Sequence, residues 1–512
     1  DLFFSCKKTL CDALSRMEVL FGGKNSIQDE IAIIGMGCLY PDAPDAQTYW
    51  NNILSKKYSI RTIDESRVNP AFYFSEDKKA DDKAYTKIAG SIDYYEFDAK
   101  KYGYSDKEAA MMSRSQKLIL DAAMQAVADA GYPEGKGLPK EKTSVIIGTC
   151  LTNELNSDLT LRQFYPEFVS HIEKLDEFKA LSEEEKSAFL EHFKAGISQG
   201  RVPKLPDGVA LNVESSRVAK HIGAEGINFT IDAACATSFA AIDAAIKELL
   251  SGDSDVTVVG GVNTNHSPEA FVGFSKMGAL ASHGSYPFDE RAGGFVLGEG
   301  AGVIVMKRMK DALADGDRIY CVIKGVGTSS DGKGKFIAAP SSEGQSYAMA
   351  RAFENMLSPI TPDDVDYIEA HGTSTNAGDG AEMETIKMIY KGARPKGVSS
   401  VKSQIGHLLG GAGNAGLIKA MLAMQNKTLP PNGQFEKLSP KLKLEGTPVY
   451  VIKDAKEWSV EQGRKRRAAV SSYGFGGINY HMVIEEFDGA YAALSRGIFS
   501  DMSYDHNADR IV

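Results

Sequence analysis

No run of this sequence approaches the roughly 18 uninterrupted apolar residues that a membrane-spanning helix needs, so no transmembrane segment is expected. No long basic block appears either, and the net charge of −10 argues against a nucleic-acid surface. The densest basic cluster, Gly463-Arg-Lys-Arg-Arg467, reads as a solvated turn before a strand. Cysteine is scarce. Six residues without a disulfide pattern fit a reducing compartment, and a cytoplasmic setting is expected. The chain begins at Asp1 with neither a signal peptide nor an initiator methionine, which reads as a piece of something longer.

What is present is ample apolar content, 43%, with 50 glycines, enough for a large core with many tight turns. A length of 512 residues allows two or three domains, or one large α/β enzyme with a duplicated core. Residues 1–28 read as a linker helix in which Cys6 and Cys11 look structural. Ile31 to Gly37 is a continuous apolar run suited to a strand buried on both faces. A helix around Ala46 to Ser55, one long helix from Asp106 to Gly131 and a strand from Thr143 to Gly148 follow. Between about 153 and 207 the texture changes to long charged helices, read as a surface insertion. The strand and helix alternation resumes at Leu211, and from Ile319 it starts again in the same order. Two topologically similar α/β halves are therefore expected, about 29–318 and 319–485, with 486–512 as a tail.

The stretch Ile227 to Gly252 organises this pattern. A β-branched run, Ile227 to Ile231, leads to small and apolar residues at helical spacing from Cys235 until Gly252 supplies a stop. Cys235 is thus expected where a buried strand turns into an enclosed helix. The unpaired N–H groups and the dipole at a helix N-terminus favour the nucleophilic thiolate. A lone cysteine among small apolar residues is more often inert core, so the assignment needs partners.

Two histidines supply them. Glu369-Ala-His371-Gly-Thr-Ser-Thr375 delivers a histidine at the C-terminal end of a strand, where α/β proteins place reactive groups. Asp379 and Glu382 then have capping-box spacing and are expected to start the next helix. Lys402-Ser-Gln-Ile-Gly-His407 again reads as a strand end followed by a histidine in a glycine-rich turn. Gly474-Phe-Gly-Gly477-Ile-Asn479 leaves amide N–H groups free for close approach. A thiol with two imidazoles suits chemistry in which an enolate must be stabilised while its carbon attacks a thioester.

The stretches DAACATS, EAHGTST, KSQIGH and GFGGIN, together with DERAGGFVLGEGAG and GFSKMGALA, resemble the signatures of the β-ketoacyl synthase family, the condensing enzymes of fatty-acid and polyketide synthesis with the thiolase fold. The likeness covers about residues 29 to 485 and implies a layered αβαβα arrangement. It implies that Cys235 carries the acyl chain as a thioester and that His371 and His407 assist decarboxylation of a malonyl extender. It implies an oxyanion hole from the backbone N–H groups of Cys235 and Phe475, with Lys402 in electrostatic support. Thr373, Thr375, Phe475, Gly476 and Asn479 would contact the substrate and its phosphopantetheine arm. It further implies an acyl carrier protein as partner, a homodimer within a larger multidomain synthase, and no metal or bound cofactor.

Two departures stand out. Asp379-Gly380 replaces the Asp-Pro usual in modular members, and the insertion at 153–207 resembles that of synthases making polyunsaturated fatty acids or highly reduced iterative products. Gly411-Ala-Gly413-Asn-Ala-Gly416 matches a dinucleotide fingerprint, but His407 and a Leu-Leu turn precede it instead of an unbroken strand. Cys38 and Cys150, read as lying just after strands, lack a following helix like that of Cys235. His266 and His283 lack cysteine partners at metal spacing. The rival readings are a catalytically silent scaffold that docks carriers, and a thiolase or CoA-primed enzyme, which more often pairs its cysteine with His and Asn or a second Cys.

Overall fold

The first apolar run forms a strand whose nine residues are all buried. Ile31 and Ile33 face one apolar cluster while Ala32 and Ile34 face another, which is why the run does not alternate with polar residues. The computed structural model describes residues 30–151, 153–198, 206–333, 337, 339–356 and 360–488. The expected linker at 1–28 with Cys6 and Cys11, and the expected tail beyond residue 488, lie outside the described residues.

The main sheet has 11 strands. In the first half they are β1 (Ile31–Leu39), β2 (Thr143–Gly148), β3 (Asn228–Ile231), β4 (Val256–Asn263) and β5 (Gly300–Arg308). In the second they are β6 (Cys321–Ser330), β7 (Tyr367–Glu369), β8 (Lys396–Ser399), β9 (Val449–Val451), β10 (Arg467–Gly474) and β11 (Ile478–Glu486). Across the sheet the order is β9-β8-β7-β10-β11-β6-β1-β5-β4-β2-β3. Setting aside the edge strand β9, each half therefore runs third, second, fourth, fifth, first. In each half the fifth strand is antiparallel to its two neighbours and the other pairs are parallel. The halves join through an antiparallel pairing of β1 with β6 that spans only Ile31 to Ile33 against Ile323 to Cys321.

Six helices build the layers: α1 (Arg114–Asp129), α2 (Val213–Ile222), α3 (Thr237–Ser251), α4 (Ser342–Glu354), α5 (Asn376–Ile389) and α6 (Ala412–Gln425). Helices α1 and α2 pack on the first half's strands, and α4 on β6 and β11 with α5 against it. Between the halves lie α3 and α6, in contact with each other; α6 touches β4 and β5 as well as β7 and β10. This is the αβαβα arrangement. The central layer explains the composition of α6, in which every residue from Ala412 to Met424 is buried. A Cβ at Gly413 would lie 2.7 Å from the Phe239 ring, so only glycine lets the two central helices meet there.

The insertion comprises helices Glu154–Gln163, Tyr165–Ile172, Asp176–Lys179 and Glu183–Ser198. Its aromatics pack among themselves, with Tyr165, Phe168 and Phe189 all within 6.3 Å of the Phe193 ring, centre to centre. Asn153 caps its first helix and reaches the carbonyls of Gly208 and Val209, tying the two ends together.

Several expectations are corrected. The single helix over Asp106 to Gly131 is two, Asp106–Ala110 and α1, because Ser105 and Ser113 each cap a new start. Helix α5 starts at Asn376, capped by Thr375, and not at Asp379. Cys38 lies inside β1, and the Gly411 to Gly416 glycines lie at and inside the start of α6. The basic turn at 463–467 is ion-paired: Arg464 with Asp366, Arg466 with Glu486 and Arg467 with Glu485.

Candidate active site

Strand β3 ends at Ile231, and a single 3-10 turn, Ala234–Ala236, separates it from α3, so Cys235 sits just before the helix and not in it. Ala234 holds a left-handed φ of 51°, a conformation that costs an L-residue roughly 1–2 kcal/mol. Three hydrogen bonds hold the turn against that cost: Ala234 N–H to Asp232, Ala233 N–H to Thr237, and Ser472 Oγ–H to the Cys235 carbonyl. The N–H groups of Phe475 and of Cys235 itself lie against Sγ. They and Lys402 draw the thiol toward ionisation, but burial outweighs them and pushes it up to about 11. The expected resting thiolate is therefore a neutral thiol.

His371 follows β7 in a loop whose backbone is held by two buried carboxyls. Glu382 accepts the N–H groups of His371 and Gly372 at 2.7 Å each, and Asp379 those of Phe288 and Ser374 at 2.7 and 3.0 Å. Burial pushes both carboxyls up to about 7. His407 does not follow β8 directly: a one-turn helix, Lys402–Ile405, intervenes. Its N–H donates to Val296 and its carbonyl accepts from Gly298, fixing it to the segment before β5.

The two imidazole centres lie 5.4 Å apart with planes at 85°. Nδ1 of His371 accepts from Tyr473 N–H at 3.4 Å and Nδ1 of His407 from Leu409 N–H at 3.2 Å. An Nδ1 that accepts carries no proton, so each neutral ring keeps its proton on Nε2 as a donor. Burial, then the Lys402 charge, hold both rings well below the ordinary histidine range and hence neutral.

Three sets of contacts bring these pieces together. Adjacent residues of β10, Ser472 and Tyr473, hold the Cys235 carbonyl and the His371 ring. Ser238 Oγ donates to the Gly410 carbonyl at 2.8 Å and accepts the N–H groups of Gly413 and Asn414, so the N-termini of α3 and α6 are joined. Lys402, buried beside them, interacts with Glu369, Glu382 and Cys235.

The family description "Beta-ketoacyl synthase, N-terminal domain" matches residues 28–312, more than half of the chain, and "Beta-ketoacyl synthase, C-terminal domain" matches residues 320–436. The chain belongs to the β-ketoacyl synthase family. It is 34% identical over 479 residues to one subunit of the polyunsaturated fatty acid synthase of a Thraustochytrium species, covering 91% of this chain and 17% of that protein. It is 35% identical over 485 residues to polyketide synthase PksN of Bacillus subtilis, covering 90% of this chain and 8% of that protein. The chain thus spans less than a fifth of either relative. A solved ketosynthase from module 6 of the bacillaene synthase of Bacillus subtilis 168 superimposes with a TM-score of 0.75 at 30% identity, covering 93% of this chain and 79% of that one.

The remaining predicted residues fall in two pairs and one separate residue. Phe475 and Gly476 form the turn between β10 and β11; the Phe475 side chain is exposed and Gly476 takes a φ of 97°. Thr373 and Thr375 face each other at 3.0 Å, and Thr375 also caps α5. Asn479 is different: its amide is buried and donates to Asp331 at 2.7 Å, so it braces the turn from behind. Cys150, buried, belongs to the apolar cluster against which Cys235 packs. Among the described residues no group of three His, Cys, Asp or Glu side chains could hold a metal ion, and no helix is long and apolar enough to cross a membrane.

Sequence reasoning missed the support beneath Lys402. Lys419 and Glu369 form an ion pair at 2.8 Å with both side chains almost fully buried, and Lys419 also donates to Ser399. The signal was there: Lys419 is the only charge in α6, a helix otherwise of small and apolar residues apart from Asn414 and Gln425.

Proposed function

We propose that this ketosynthase catalyses decarboxylative Claisen condensation in polyketide or fatty-acid chain elongation. The acyl group of a carrier thioester transfers to Cys235, whose proton leaves with the carrier thiol. A malonyl-carrier then enters and loses carbon dioxide, and the resulting enolate carbon attacks the Cys235 thioester carbonyl. The new carbon–carbon bond forms, the carbon–sulfur bond breaks, and the Cys235 thiolate so released takes a proton from water as the β-ketoacyl-carrier leaves.

The observation that carries this reading is the pair of neutral imidazoles, each with Nδ1 engaged by a backbone N–H, on loops that strand β10 and Lys402 link to the Cys235 turn. Their Nε2–H donors suit the enolate oxygen. The N–H groups of Phe475 and Cys235 suit the tetrahedral oxyanion, a donor of this kind being worth about 3–4 kcal/mol. Lys402 adds to the burial that keeps the rings neutral, and Thr373, Thr375, Phe475 and Gly476 suit the phosphopantetheine arm. Asn479 serves this arm only through the turn it braces. The chain needs no cofactor or metal of its own for these steps.

The domain spans 29–485 in this reading, with halves meeting near 318 and the insertion at about 153–207, between a linker and a tail of a larger cytoplasmic synthase. An acyl carrier protein delivers both substrates. The edge strand β3, with Asn228 exposed, suits pairing with a second copy in a homodimer. Intact-mass analysis after incubation with an acyl-carrier tests the reading, together with release of carbon dioxide from malonyl-carrier. A silent scaffold shows neither reaction, and a CoA-primed enzyme acylates Cys235 from acyl-CoA in preference to the carrier.

A further inference from the structure

Cys150 lies two residues past the end of β2, buried, in the apolar cluster against which Cys235 packs. Its backbone is anchored to the strands on either side of β2. The Thr149 N–H donates to the Ile231 carbonyl at 3.1 Å, at the end of β3, and the Cys150 carbonyl accepts from the Asn265 amide, also at 3.1 Å, just beyond β4. The chain then turns away at Leu151, which takes a left-handed φ of 63°. Burial pushes the Cys150 thiol well above its ordinary range, so it stays neutral and does not compete with Cys235 for an acyl group.

What the side chain meets is the turn after His407. A Cβ built at Gly410 would lie 3.2 Å from Cys150 Sγ, 3.3 Å from the Val262 carbonyl oxygen and 3.4 Å from the Cys150 nitrogen, so this turn is seated closely on the first half. The buried Gly410 N–H lies against the sulfur, and the Gly410 carbonyl accepts from Ser238 Oγ at 2.8 Å. The preceding residue, Leu409, is buried with a left-handed φ of 41°, a conformation that an L-residue keeps only where its surroundings over-determine it. That same residue supplies the N–H on His407 Nδ1. Sulfur is a weak acceptor, but a buried N–H without water has no better partner to turn to.

We propose that Cys150 is a positioning residue for decarboxylation and condensation: its sulfur, taking the Gly410 N–H, holds the Leu409–Gly410 segment so that the Leu409 N–H stays on His407 Nδ1 and the His407 proton stays on Nε2. Ser238 holds the same segment from the carbonyl side, so the first half grips the His407 turn at both faces of one glycine. The position has a counterpart. Cys150 follows the second strand of the first half, and His371 follows the second strand of the other, so one half uses this point for support where the other uses it for chemistry. This inference rests on the condensing reading above.

A sulfur that merely fills space and one that accepts an N–H are separated by two variants of the full chain. Cys150→Val keeps bulk without an acceptor, and Cys150→Ser keeps an acceptor with less bulk. Cys235 acylation by the acetyl thioester of N-acetylcysteamine is read by peptide mass, and carbon dioxide release from malonyl-N-acetylcysteamine gives kcat and KM. A misplacement of about 1 Å can cost about 10²-fold in rate. Cys150→Val is therefore expected to lower kcat for carbon dioxide release at least tenfold, with KM and Cys235 acylation within about threefold of the parent. Cys150→Ser is expected to stay within about threefold of the parent in all three. A space filler gives the reverse order, and either that order or parent-like kcat in Cys150→Val overturns the proposal. Gly410→Ala approaches from the other side, since its new Cβ meets the sulfur: the same split is expected, and parent-like kcat there overturns the proposal even if Cys150→Val does not fold. A parent chain that neither acylates at Cys235 nor releases carbon dioxide instead fails the condensing reading itself.

Discussion

After its third strand the first half turns toward α3 through Cys235; after its third strand, β8, the second half turns toward α6 through Lys402 and His407. After the second strand the first half carries Cys150 and the insertion, where the second carries His371. One topology thus sets down different chemistry at two matching points. The first half's contribution is a neutral thiol at the head of a buried helix. The second half places buried charge around the histidine loops, with Lys402, Lys419, Glu369, Glu382 and Asp379 all nearly inaccessible to solvent, while the first half's buried charges, such as Glu299 with Arg67 and Arg114, pair among themselves. The second-half charges hold the histidine loops, and of them Lys402 also acts on the sulfur, where it opposes the first half's Asp232.

The sharpest way to break this division is to disable one half at a time. Cys235→Ala is expected to abolish acyl loading by intact mass while leaving malonyl-carrier decarboxylation at least partly intact. His407→Ala is expected to leave Cys235 loading in place and to slow condensation about 10²- to 10³-fold, the usual loss for one oxyanion donor. Retained loading in the first variant, or lost loading in the second, would show that the halves do not separate the two steps.

Next in size is the charge network. Removing one partner of a buried ion pair costs about 3–5 kcal/mol because the other charge stays buried and unpaired. Lys419→Met should lower stability by that amount in a denaturant titration, and Lys419→Met with Glu369→Leu should recover much of it. A single variant as stable as the parent would mean that the second half does not depend on this pair.

How much of this was visible in the sequence follows the same division. Strand β2 and the run of Cys235 into an enclosed helix were legible because apolar and small residues there have one purpose, burial. The histidines stood out because each sits beside glycines, His371 at the end of β7 and His407 one short helix beyond β8. What misled was polar side chains turned inward. Asp379 and Glu382 have the spacing of a helix cap but hold the His371 loop, and the cap passed to Thr375. Asn479 looked free for substrate and instead bonds Asp331, a partner 148 residues away in sequence. The thiol's ionisation was misjudged for a related reason: a helix N-terminus is a local feature, whereas the desolvation that outweighs it comes from every layer around Cys235. No spacing rule encodes that sum.

A smaller effect is expected where the halves touch. Ser238 Oγ is a single hydroxyl serving Gly410, Gly413 and Asn414 at the joined N-termini. Ser238→Ala leaves those groups buried and unsatisfied, at a cost of about 1–3 kcal/mol. Condensation should slow more than Cys235 alkylation does, because the loss acts on the distance between the halves and not on the thiol. Equal slowing of both would assign Ser238 to the first half alone.

The smallest expected effect tests whether any of the second half's charge is felt at the sulfur. With the Cys235 thiol held at about 11, only the thiolate fraction reacts with iodoacetamide, so the alkylation rate should rise about tenfold per pH unit from pH 7 to pH 10 without a plateau. Lys402 opposes that elevation, so Lys402→Met should raise the thiol further and slow alkylation at pH 8 severalfold, less than tenfold, with the slope against pH unchanged. The sign is fixed by the charge: removing a cation near a group that ionises to an anion disfavours ionisation. A plateau near neutral pH would mean that the N–H groups of Phe475 and Cys235 outweigh burial, and faster alkylation in Lys402→Met would mean that Lys402 sits beside the sulfur uncharged.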